Sequence, residues 1–144
     1  MSYEEIIRDV NQNPVTLKSA TVSATQRYKA SKPWRGTLEE RKSKLLAFHA
    51  ELCDIYNKGT ELQFGIISDK APSGSSGESY YSPMGDAIML VNKFSVLTYL
   101  HEFAHVLFGA DQRRATRWSC CLFKKVFPKD WARLNPSEEG VMVK

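Results

Sequence analysis

A chain of 144 residues, 42% hydrophobic and 25% charged, suffices for one domain with its own core and leaves little room for a second. Its apolar runs are too short for a bilayer-spanning helix, and the start Met1-Ser2-Tyr3-Glu4-Glu5 lacks the basic and apolar stretches of a secretion signal, so a cytoplasmic setting without membrane contact is expected. The net charge of +4 comes from scattered lysines and arginines, which predicts a solvated basic surface ahead of a nucleic-acid site.

Ser2-x-x-Glu5 matches a capping box and opens a short helix that Asn13-Pro14 ends. Residues 15–33 carry a mixed signal that predicts no particular element. Thr37-x-x-Glu40 is a second capping box, and Leu38, Leu45, Phe48, Leu52, Ile55 and Tyr56 then fall on one helical stripe that Asn57-Lys58-Gly59 stops. Cys53 stands alone on that helix. Leu62, Phe64 and Ile66 alternate with Gln63, Gly65 and Ile67, which predicts a strand.

Residues 68–79 form a Ser/Gly-rich surface loop. Tyr80-Tyr81-Ser82, the turn Pro83-Met84-Gly85-Asp86 and Ala87–Val91 then predict a hairpin with a largely buried second strand. From about Phe94 to Phe108 the pattern is helical and apolar almost all round, which places this helix mid-domain, and Gly109 ends it. A last helix runs from about Asp111 to Phe127 on the stripe Ala115, Trp118, Leu122 and Val126, with Pro128 closing it. Cys120 and Cys121 on it are expected to fill core. The expected fold is α+β: one domain over 1–144, with helices on a short three-stranded sheet around a central helix. Residues 1–35 form an N-terminal segment without an assigned architecture, and 129–144 a tail.

The central helix carries His101-Glu102-Phe103-Ala104-His105. Histidines four apart on a helix project from one face and can share a zinc ion through ring nitrogens. Glu102 is offset around the helix, where it can take a proton from a water rather than ligate the ion. The bland alternative is two core histidines satisfied by hydrogen bonds, and burying both beside a glutamate without a shared partner would be costly.

Over about Leu62 to Pro128 the chain resembles the zincin metallopeptidases, and among them the compact ImmA/IrrE-like group and its phage and mobile-element relatives. The resemblance is carried by Ile88–Val91 leading into Thr98-x-x-His-Glu-Phe-Ala-His, and by Ala115-x-x-Trp118-Ser119-x-x-Leu122-Phe123 ending at Pro128. It implies a zincin-like domain that binds Zn2+ through His101 and His105, cleaves a protein or peptide substrate, and uses Glu102 as general base. Where that group carries a glutamate as third ligand this chain has Gln112, so the neighbouring Asp111 is the expected ligand. Asp111 also stands six residues after His105, the metzincin spacing, although Phe108 replaces the metzincin glycine. Its alternative role is an N-cap. His49, Gln112 itself, Glu138 and Glu139 are the remaining candidates for the third position. Tyr80, Tyr81 and Arg117 are candidate oxyanion donors, and Arg117 could instead orient Asp111 or Glu102. The competing functional reading is a regulatory or binding module on the same scaffold, acting through protein or DNA contact. A non-peptidase hydrolase using the same zinc-water chemistry is the third. The oligomeric state is not legible.

Overall fold

The computed structural model describes residues 3–67, 78–81, 87–92, 94–136 and 142–143. It is a mixed helix and strand structure, mostly helical. In chain order the elements are α1 (Tyr3–Gln12), α2 (Ser19–Ala30), α3 (Leu38–Tyr56), β1 (Glu61–Ile67), β2 (Glu78–Tyr81), β3 (Ala87–Asn92), α4 (Val96–Phe108), α5 (Gln112–Val126), α6 (Pro128–Ala132), β4 (Asn135–Pro136) and β5 (Met142–Val143).

The capping box opens α3 as expected: Thr37 accepts the Glu40 N–H at 3.2 Å, and Glu40 accepts the Thr37 N–H at 3.2 Å. Asn57 ends that helix in the left-handed region at φ 53°, a conformation asparagine tolerates better than most residues. Residues 19–30, for which the sequence predicts no element, form α2, and Pro128 opens the short α6 at its first turn.

Where a short three-stranded sheet is expected, the sheet is built on a parallel pair, β1 with β3. Only the four-residue β2 adds to it, antiparallel on the other edge of β3. β2 begins at Glu78, so the expected Ser/Gly loop is shorter at its C-terminal end. The rest of that loop and the turn at 83–86 lie outside the described residues. The β1–β3 register shifts between Phe64 and Ile67, and Gly65 sits in that shift, where a Cβ would run into the Val91 side chain.

The core lies between the sheet and the helices. Ile88 and Leu90 of β3 are fully buried, with Leu45 and Leu52 of α3, Tyr99, Leu100 and Phe103 of α4, and Leu122 of α5. Trp118 joins α5 to α4 through edge and tilted contacts with Phe108 and Phe103, at centroid separations of 6.3 and 6.2 Å. α4 therefore packs on α5 along one side and against β2 along another. A helix wrapped this way is positioned rigidly, which is what a chemical site on it requires.

Candidate functional site

Ser95 caps α4 by accepting the Thr98 N–H at 3.2 Å, and Gly109 ends it. Gly109 adopts φ 70° and ψ −145°, a backbone state strained for any residue with a Cβ. Its carbonyl folds back onto His105 Nδ1 at 2.7 Å. A carbonyl only accepts, so Nδ1 carries the proton and His105 presents the lone pair of Nε2 on its other side.

That lone pair faces two groups. His101 Nε2 lies 3.2 Å away, with the two rings edge-on at 86°, and Gln112 Oε1 lies 2.9 Å away. His105 is buried and His101 half-buried. Burial foremost, and then the neighbouring His105, pushes the His101 pKa down to about 4, against a hydrogen bond from Gln112 that raises it. At neutral pH His101 is thus an uncharged imidazole, the form that binds metals. Glu102 is half-buried one residue further on, about 100° around the helix from His101.

The geometry brings Gln112, not Asp111, to the histidine pair. Asp111 is the N-cap of α5, and its Oδ1 accepts the Arg114 N–H at 3.1 Å. The amide of Gln112, the first residue of α5, reaches back to α4. Among the described residues, no group of three or more His, Cys, Asp or Glu side chains is arranged to hold a metal ion. A metal here would rest on two imidazoles and one amide oxygen.

The other predicted site residues are placed elsewhere. Arg117 forks onto Asp9 of α1, with Nε to Oδ2 and Nη2 to Oδ1 both at 2.8 Å, and the Asp111 carboxylate acts on it as a further nearby charge. The Arg117 hydrogen bond holds the Asp9 carboxyl below its ordinary range. His49 is buried between α3, β1 and α4: its Nε2–H donates to the Thr60 carbonyl at 2.7 Å, so its Nδ1 accepts from the Tyr99 hydroxyl at 2.6 Å. Tyr99 and Phe103 pack on it edge-on, two residues before His101 and His105 respectively, hence about 200° around α4. His49 is a satisfied core histidine on the far side of the helix. Tyr80 and Tyr81 stand on β2 opposite Met89 and Ile88, on the strand against which α4 packs. Glu138 and Glu139 lie outside the described residues. Burial pushes the Cys120 thiol up to about 12, as fits a core filler.

No protein-family model, no curated protein and no solved structure matches this chain.

Proposed function

We propose that this protein is a zinc-dependent hydrolase of zincin type acting on a protein or peptide, with His101, His105 and Gln112 holding the ion and Glu102 moving the proton. One observation carries the reading: the His101 ring nitrogen of α4 and the Gln112 amide oxygen of α5 both come within 3.2 Å of His105 Nε2. Tetrahedral zinc with donors about 2.0–2.1 Å away sets those donors roughly 3.3–3.4 Å apart. The separations here, 3.2 and 2.9 Å, lie within a few tenths of an ångström of that span. The lone pairs of His105 Nε2 and Gln112 Oε1 also face each other, and a cation between them relieves the repulsion.

When bound, zinc supplies a Lewis acid that acidifies a water and polarises a carbonyl, the more strongly because all three donors are neutral. The protein's own part is orientation and proton transfer. The Gly109 carbonyl fixes the tautomer of His105, as a hydrogen bond on the outer nitrogen does for metal-binding histidines generally. Glu102, one residue after His101 on the same helix, is the base this reading assigns: it would accept a proton from the attacking water and return it to the leaving amine.

A second reading rests on the amide. Turned over, the Gln112 NH2 donates to His105 Nε2 and the cluster satisfies itself without metal. The domain would then act as a binding or regulatory module. Metal content by mass spectrometry separates the two. Wild type should hold about one zinc per chain, His101→Ala and His105→Ala should lose it, and Glu102→Gln should keep it while abolishing cleavage in a peptide library. Zinc retained in both histidine variants overturns the proposal. Zinc-free wild type purified with zinc present supports the module.

A further inference from the structure

Trp34 is 56% exposed, a costly position for the largest apolar side chain. The loop that carries it is pinned. Lys32 sits in the left-handed region at φ 56°, and its carbonyl accepts the Arg35 N–H at 3.0 Å. Lys44 of α3 reaches over to donate to the Lys32 and Arg35 carbonyls at 3.0 and 3.2 Å. Pro33 beside it is buried. The indole stands on a backbone turn that is already folded, which lowers the ordering cost at the moment of binding.

Beside Trp34 lies an open cavity of about 500 Å³ where the C-terminal ends of α2 and α5 meet, lined by Gln26, Lys29, Lys32 and Lys125 among others. No aspartate or glutamate lines it. Lysines near helix C-termini often serve only to offset the helix dipole, and Lys29 does so here: it donates to the Val126 carbonyl at 2.8 Å and sits 5.7 Å from the Phe127 ring centre. Lys32 and Lys125 have no such partner among the described residues, and both are exposed. Two cations without such a partner among the described residues therefore flank an exposed aromatic on an ordered turn.

We propose that this surface binds single-stranded nucleic acid, with a base stacked on Trp34 and phosphates on Lys32 and Lys125. An acidic peptide would satisfy the cations but offer the indole no regular partner, whereas every nucleotide supplies both an anion and a flat π-face. The cavity is within the range of sites that take a small molecule, so it has room for one nucleotide. Fourteen residues of α5 separate Gln112 from Val126, roughly 21 Å of helix. The surface is thus independent of the histidine site.

The test is a titration of a fluorescein-labelled oligothymidylate of about ten nucleotides with the full chain, read by fluorescence anisotropy. Binding should raise the anisotropy, and Trp34→Ala should weaken binding about tenfold. The Lys32→Gln/Lys125→Gln double variant should bind more weakly still. The log of affinity should fall with log salt at a slope of about −1.4, as for two single-strand phosphate contacts. Chelation of metal should change nothing. Thermal melts confirm that both variants fold, which their exposed positions favour. Parent-like affinity in Trp34→Ala, or equal competition by polyglutamate or duplex DNA, overturns the proposal by leaving only surface charge.

Discussion

Asp111 and Gln112 are sequence neighbours with separate tasks, and substitutions pull those tasks apart. Asp111→Ala deletes the carboxylate that accepts the Arg114 N–H, an N-cap loss costing about 1 kcal/mol. Unfolding entropy of about 2.1 cal/mol/K per residue gives a 144-residue chain about 0.3 kcal/mol/K, so Tm should fall by about 3 °C. Asp111→Asn keeps an equivalent cap and should hold Tm within about 1 °C. Neither change should alter zinc affinity. Gln112→Ala should do the reverse: its exposed side chain leaves Tm in place, while loss of the oxygen 2.9 Å from His105 Nε2 raises the zinc Kd. At least about tenfold, or about 1.4 kcal/mol, is expected. Calorimetry on metal-free protein gives Tm without the contribution of bound ion, and competition with a chromophoric chelator gives Kd. A tenfold weaker zinc Kd in Asp111→Asn at unchanged Tm would refute the assignment and restore Asp111 as the ligand.

Stability of the metal-free protein should depend on acid through His101. Its pKa of about 4 in the folded state lies below the ordinary 6.5, so the unfolded chain takes up the proton first as pH falls. Stability is then intact above about pH 6.5 and declines toward pH 4, with His101 contributing at most about 3 kcal/mol. His49, also held low by burial, acts in the same direction. Urea midpoints at pH 7, 5.5 and 4.5 measure the slope, and a flat profile contradicts it. Tyr99→Phe should cost about 1–3 kcal/mol in the same urea assay, because it strips His49 Nδ1 of the hydroxyl that donates to it in a buried site. Its zinc affinity should match the parent's; a zinc loss would place His49 in the metal site after all.

The local signals were well written in the sequence. Thr37 and Glu40 cap α3 reciprocally, and the stripe Ala115, Trp118, Leu122 and Val126 is buried on α5 as its spacing predicts. α2 escaped because its inward face is chemically polar: Thr21, Ala24, Thr25 and Tyr28 are buried, a pattern that apolar periodicity does not detect. Thr25 is satisfied one turn back by the Thr21 carbonyl at 2.7 Å, and Thr21 across the fold by the Tyr56 hydroxyl at 2.6 Å. The parallel pairing of β1 with β3 is likewise non-local. His101 and His105 were legible because one helical turn brings them together. Gln112 falls at the third position by resemblance but ranks behind Asp111, because which of the two side chains reaches His105 depends on how Gly109 turns the chain between α4 and α5. The cluster of Lys29, Lys32 and Lys125 around Trp34 looks like scattered charge until two helix ends meet.

The fork of Arg117 onto Asp9 has a kinetic side. It joins positions 108 residues apart, and Lys124 on Asn11 and Lys29 on the Val126 carbonyl close loops of similar length. Closing a flexible loop that long costs about 4 kcal/mol of chain entropy beyond a constant, before any contact across it offsets the loss. The first helix thus cannot settle until the fifth has been synthesised. A nascent chain short of residue 117 can pack α2 on α3 but holds α1 with much of its docking surface on α5 missing. Folding should therefore proceed late and slowly for so helical a protein, with the earliest-made segment among the last to lock.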